Sequence, residues 1–183
     1  MKLLLFIGGQ VGYEALSILI SETEIEHVFI ELEHKHEIIQ YSKKIMQLCV
    51  ENNLAYSTDL SENSIISICT SLSADYLMCF GFRRLISNNV MSTVSIACIG
   101  SHFAPLPKYR GFAPLNWVLI NGESQTAVNI FHLGSEVDSG DIIASEKVII
   151  TQEDDINSLT NKCLQALRPV LINVINLMKS GNP

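Results

Sequence analysis

Two side chains in the second half of the chain have the types and the setting to move a proton. His102 follows the apolar run Ile96-Ala97-Cys98-Ile99, and Asp138 sits in the turn sequence Glu136-Val137-Asp138-Ser139-Gly140. A neutral imidazole can take or relay a proton near neutral pH, and a carboxylate beside it fixes its tautomer and stabilises its charged form. Together they suit acyl-type transfer to an amine. The chain between them has room for a helix and a return strand, so both can reach one edge of a sheet. Taken singly, each has a plainer reading: a histidine is more often a satisfied core or surface residue, and Asp-Ser-Gly-Asp is good turn chemistry. Between the two lies a rigid turn, Pro105-Leu106-Pro107-Lys108-Tyr109-Arg110-Gly111.

Other chemistries fit less well. Gly8-Gly9-Gln10-Val11-Gly12 opens a helix and Glu31 follows at a ribose-binding distance, but a dinucleotide fingerprint needs glycine where Gln10 and Tyr13 stand. A plain tight turn is the better reading. A serine hydrolase needs a GxSxG elbow, which is absent. His34 and His36 lie in the charged run EHKHE, His27 and His132 in or beside strands, and no spacing resembles a zinc site, so no metal is assigned.

The elements that must hold the pair follow from periodicity. Lys2–Ile7 reads as a strand, Val11–Ser21 as a helix and His27–Leu32 as a second strand. Glu33–Asn52 reads as a helix carrying Ile38, Ile39, Tyr41, Ile45, Leu48 and Cys49 on one side. Tyr56-Ser57, helix Ser61–Ser71 and strand Asp75–Phe80 continue the alternation, which implies right-handed crossovers and a parallel sheet covered on both faces. Further on, Val94–Ile99, Ala127–Leu133 and Ile142–Ile150 read as strands. Ala113–Asn121 reads as a helix with Pro114 in its first turn. Thr151–Asp155 offers caps for a terminal helix that Pro169 should kink or divide.

Composition bounds the rest. At 183 residues, 48% apolar and 17% charged, the chain suits a single domain, 1–183. A net charge of −7 without a basic stripe disfavours nucleic acid as a partner. Five cysteines at irregular spacings, without CxxC, fit a reduced cytoplasmic protein. MKLLLFIGG runs straight into glycines and lacks a cleavage site, and no stretch approaches the roughly 20 apolar residues of a membrane span. No membrane role is expected.

The segments GSHFAPLPKYRGFAPLNWVLINGE and TAVNIFHLGSEVDSGDII resemble the core of the folate-dependent formyltransferases, strongly over Asp75–Ile150 and more loosely toward both ends. That family includes glycinamide ribonucleotide transformylase, methionyl-tRNA formyltransferase and the sugar N-formyltransferases. The resemblance implies a Rossmann-like α/β fold, a mostly parallel twisted sheet with helices on both faces. It also implies N10-formyltetrahydrofolate as donor and direct attack by an acceptor amine through a tetrahedral intermediate. His102 and Asp138 match the catalytic pair. The loop FGFRRLIS, with Phe82, Arg84, Leu85 and Ile86, would hold the pterin with Val90, and Glu136, Val137 and Asp138 would close its other side. Pro107, Tyr109, Arg110 and Asn116 would lie by the acceptor.

One departure stands out. The family's Asn-x-His reads Gly100-Ser101-His102 here, so the amide that would donate to the oxyanion is missing. Loss of one such donor costs about 3 to 4 kcal/mol. Ser101, Asn116 or backbone N–H groups at Gly100 and its neighbours are the substitutes; the other reading is a catalytically weak folate-binding or regulatory protein. The tRNA branch is expected to carry a further C-terminal domain and basic surface, whereas this chain ends soon after its terminal helix. The turn Tyr109–Pro114 resembles the tRNA and sugar branches more than the purine branch. By elimination the expected acceptor is a small amine on a nucleotide-linked amino sugar. The terminal helix leaves room for a homodimer.

Overall fold

The computed structural model describes residues 1–37 and 39–181 and divides into two compact units, Met1–Ile99 and the residues from Gly100 onward. The first contains β1 (Lys2–Gly8), α1 (Gly9–Glu22), β2 (Glu24–Glu31), α2 (Tyr41–Glu51), β3 (Tyr56–Ser57), α3 (Glu62–Ser71), β4 (Tyr76–Phe80) and α4 (Asn88–Met91). β1 pairs in parallel with β2 and β4, and β2 with β3. Leu3 through Ile7 are all fully buried, as a parallel strand covered on both faces requires. Phe6 stacks on Phe29 of the adjacent strand at 4.5 Å between ring centres. Gly12 lets α1 lie close on β1, because a Cβ there would come within 2.9 Å of the Ile7 Cβ. That packing need accounts for this glycine without any nucleotide.

β5 (Ala97–His102) crosses the unit boundary. α5 (Pro114–Ile120), β6 (Gln125–His132), β7 (Ile142–Ile149) and α6 (Ile156–Lys179) follow it. The strand order is β3-β2-β1-β4-β5-β6-β7, and β6 with β7 forms the antiparallel end of a mostly parallel sheet. α6 buries Leu159, Cys163, Leu167, Val170, Leu171, Val174, Ile175 and Met178, a stripe at helical spacing. Asp155 opens it with a reciprocal capping box to Ser158.

Three expectations are corrected. Pro169 does not divide α6, which runs unbroken through it; the proline sits on the exposed side, where water can serve the carbonyl it leaves without a donor. α2 begins at Tyr41, because the chain before it makes a turn, His34 to Glu37, and the Glu33 carboxylate accepts the Ser42 N–H and hydroxyl at the new helix start. Ile38 lies outside the described residues. β5 starts three residues later than the apolar run suggested and ends on His102, after the Ser95 and Ile96 N–H groups bond back to Ala74 and Asp75.

Candidate active site

His102 is the last residue of β5 and is buried, 7% exposed. Its Nδ1 lies 3.2 Å from Asp138 Oδ2, and its Nε2 lies 2.7 Å from the carbonyl oxygen of Tyr109. A carbonyl can only accept, so Nε2 carries a hydrogen. Nδ1 faces the Asp138 carboxylate at a separation across which the ring and the acid can exchange a proton.

Local chain geometry brings Asp138 to that point. Its φ of 47° is in the left-handed region that aspartate tolerates, and its Oδ2 also accepts the Gly111 N–H at 2.8 Å. Two residues on, a Cβ at Gly140 would fall 1.7 Å from the His132 carbonyl oxygen, so only glycine lets the turn close against the end of β6. The histidine is held from behind. Asn129 on β6, 2% exposed, donates its amide to the carbonyls of His102 and Ala104, its own oxygen accepts from Ser145 at 2.7 Å, and Thr126 reaches the Phe103 carbonyl at 3.4 Å. Sequence reasoning missed Asn129 and Thr126. The available signal was an asparagine inside the apolar strand TAVNIF, a residue type that strands disfavour unless its amide is used.

The turn over His102 is latched. The Tyr109 hydroxyl donates to Glu123 at 2.7 Å, which raises the phenol pKa, and Lys108 approaches the same carboxylate at 3.8 Å. Tyr109, with φ 58°, and Ala113, with φ 52°, are left-handed without being glycine, a strain that such latches sustain. Beside them a cavity of about 260 Å³ is lined by Leu106, Pro107, Arg110, Asp138, Gly140, Asp141 and Ile142. It is below the roughly 300 to 1,000 Å³ of a pocket that engulfs a whole ligand, so it suits a small reacting group.

The candidate oxyanion donors fare unequally. Gly100 shares the His102 face of β5, but a Cβ there would lie 2.6 Å from Leu133 Cδ2 and 3.3 Å from Phe131 Cζ, so the place of an amide is filled with hydrocarbon. Ser101 points to the opposite face of the strand, and Asn116 is exposed on α5. Pro107 and Arg110 line the cavity; Tyr109 presents its carbonyl to His102.

The residues expected at the folate are placed in both units. In the first, the Gly81–Ser87 loop is fixed by Glu31, 7% exposed at the end of β2. Its Oε2 accepts the Arg83 N–H at 2.7 Å and lies 3.6 Å from Arg83 Nε, while its Oε1 is 3.4 Å from Arg84 Nε. Glu31 is thus committed to this loop and not to a ribose. On the loop Leu85 is 82% exposed; Phe82 packs edge-on to Phe6, Ile86 is half-buried, and Val90 is buried in α4. In the second unit Glu136 and Val137 are exposed on the turn before Asp138.

The family model described as formyl transferase matches residues 25–175. The chain belongs to that family, the folate-dependent formyltransferases, and is therefore a one-carbon group transferase. Among solved structures it is similar to phosphoribosylglycinamide formyltransferase from Streptococcus pneumoniae, at TM-score 0.81 and 17% identity over 97% of this chain and 98% of that one. It is also similar to WlaRD, a sugar 3N-formyl transferase solved with dTDP and 5-N-formyl-THF, at TM-score 0.76 and 16% identity over 99% of this chain and 64% of that one. A formyltetrahydrofolate deformylase from Pseudomonas putida matches at TM-score 0.74 and 12% identity over 98% and 65%. These likenesses support the fold. No helix among the described residues is long and apolar enough to cross a membrane.

Proposed function

We propose that the chain moves a formyl group from N10-formyltetrahydrofolate to a small amine carried on a nucleotide-linked amino sugar. The observation that carries this reading is the double position of Asp138, which touches His102 Nδ1 at 3.2 Å and also lines the small cavity. The donor, when bound, supplies an activated formyl carbon. By the family resemblance Phe82, Arg84, Leu85 and Ile86 on the 81–87 loop and Val90 on α4 are the candidates to hold its ring system, with Glu136 and Val137 as candidates on the turn before Asp138. The His102–Asp138 pair accepts the proton that the acceptor nitrogen loses and returns one to the departing nitrogen, so the site ends each cycle as it began.

The acceptor class rests on the Tyr109–Pro114 turn and on the acidic balance, which opposes a polyanionic tRNA. Glycinamide ribonucleotide is a second acceptor, favoured by the near-complete mutual coverage with the Streptococcus pneumoniae structure. A folate-binding protein with little turnover is the third reading, favoured by Leu133 filling the place beside Gly100. One assay separates them: the chain is incubated with N10-formyltetrahydrofolate and a panel of amino sugar nucleotides plus glycinamide ribonucleotide, and tetrahydrofolate release is followed. Release with an amino sugar nucleotide is expected. Release with glycinamide ribonucleotide alone moves the acceptor to purine chemistry, and binding of 5-N-formyl-THF without release to any acceptor leaves the third reading.

A further inference from the structure

An acyl transfer places negative charge on the carbonyl oxygen, and a site that accelerates it aims a hydrogen-bond donor at that oxygen. Around His102 the donors are spent. Nε2 of the ring is on the Tyr109 carbonyl, Nδ1 faces Asp138, the Gly111 N–H is on Asp138, and the Asn129 amide is on two backbone carbonyls. At Gly100 a Cβ would meet Leu133 Cδ2 at 2.6 Å, so a side chain enters there only if the end of Leu133 moves aside. Of the seven residues lining the cavity, Arg110 alone carries a side-chain donor, and among the described residues no hydrogen bond or ion pair occupies its guanidinium. Arg110 is exposed, and Asp138 and Asp141 line the same cavity without pairing with it, so its guanidinium is solvated and free to turn toward a bound group.

We propose that Arg110 is a catalytic residue whose guanidinium stabilises the charge that develops on the formyl oxygen. This rests on the proposed reaction. In that reaction the acceptor nitrogen forms a bond to the formyl carbon while the carbonyl π pair moves onto oxygen. The pair then returns as the bond to the donor nitrogen breaks, that nitrogen takes a proton, and the acceptor nitrogen gives one up through Asp138 and His102. Charge on oxygen is transient, and Arg110 would be engaged only while it lasts. A planar cation serves where a neutral amide is absent, and its five donors tolerate a displacement that a single amide would not.

The test compares Arg110→Ala and Arg110→Lys with the unaltered chain, using N10-formyltetrahydrofolate, the best acceptor from the panel, and calorimetric binding of 5-N-formyl-THF. Arg110→Ala should lower kcat by roughly 10² to 10³, with the acceptor KM and the affinity for 5-N-formyl-THF within about threefold. Added guanidinium ion should restore part of the rate. In the Arg110→Ala background, Gly100→Asn with Leu133→Ala rebuilds an amide in the vacated space and should recover tenfold or more, and thermal melting confirms that each variant folds. A raised acceptor KM with kcat unchanged would make Arg110 a binding residue and overturn the inference. So would full activity of Arg110→Ala, which would hand the role to backbone N–H groups of residues 140–142. No binding of 5-N-formyl-THF by the unaltered chain would overturn the proposed reaction itself, and this inference with it.

Discussion

Asp138 combines three duties in one carboxylate: it receives the Gly111 N–H, faces His102 Nδ1 and borders the cavity. Asp138→Asn keeps the shape, and asparagine tolerates the left-handed backbone, so the fold should persist. What is lost is the anion that faces His102 Nδ1. The turnover rate should fall by roughly 10² to 10⁴ while the melting temperature moves little; unchanged turnover would remove Asp138 from proton transfer. Gly100 argues in the opposite direction. An asparagine introduced there restores the family's Asn-x-His but meets the tip of the half-buried Leu133 at its first side-chain carbon, and displacing that side chain costs about 1 kcal/mol. Gly100→Asn alone should therefore lower the urea midpoint and bring no gain in rate. A faster, equally stable variant would mean that Leu133 yields easily.

At the level of elements, the Glu31 clasp shows how a strand end can set a loop. Glu31 is the final residue of β2, and its buried carboxylate holds Arg83 through backbone and side chain, while Arg83 reaches on to Glu37 at 2.8 Å and to the Leu32 carbonyl. Glu31→Gln removes the charge but keeps the size, which should cost about 1 to 3 kcal/mol locally. The Arg83 amide should then exchange with deuterium faster than in the unaltered chain, with 5-N-formyl-THF binding weakened. Protection of that amide at its original level would deny the clasp its role. This contact was not legible in the sequence, because the one role it suggested for Glu31, a disfavoured ribose ligand, lay elsewhere, and nothing local pairs it with Arg83. The strands β1, β4 and β7 and the long α6 were legible, since burial on one or both faces writes itself as apolar runs or a 3.6-residue stripe. The four-residue α4 was not, being too short to show a period. The His102 and Asp138 pairing was suggested by the place of His102 after a buried strand and by the chain length between the two, and the family resemblance pointed the same way. What filled the space beside Gly100 did not, because Leu133 lies a strand away and its side chain announces nothing about which gap it closes.

Across the whole molecule, the titratable groups buried in the fold decide how it meets acid. Burial pushes the thiols of Cys49 and Cys98 up to about 11 and that of Cys163 to about 12, so these three stay protonated near neutral pH. His27 behaves differently. It lies on β2 against Phe29, ring centres 4.7 Å apart, 9% exposed, and its Nε2 is buried without a hydrogen-bond partner among the described residues. Burial holds its pKa below the ordinary 6.5. The unfolded chain therefore binds a proton as pH falls through about 6.5 while the folded chain still refuses it. This contribution to stability is complete above that pH, declines as pH drops below it, and stops declining once the folded form is also protonated. His27→Phe keeps a ring against Phe29 and removes both the proton site and the unsatisfied nitrogen. Its urea midpoint should exceed that of the unaltered chain, by on the order of 1 kcal/mol in stability, and the gap should widen from pH 7.5 to pH 5.5. Parallel pH profiles for the two chains would show that His27 titrates alike in the folded and unfolded states, and would move the acid sensitivity to another group. The natural alternative is Asp154, whose pKa Lys162 holds well below the carboxylate range; its contribution would fade only below about pH 4 and equally in both chains, so the pH at which stability is lost identifies the residue.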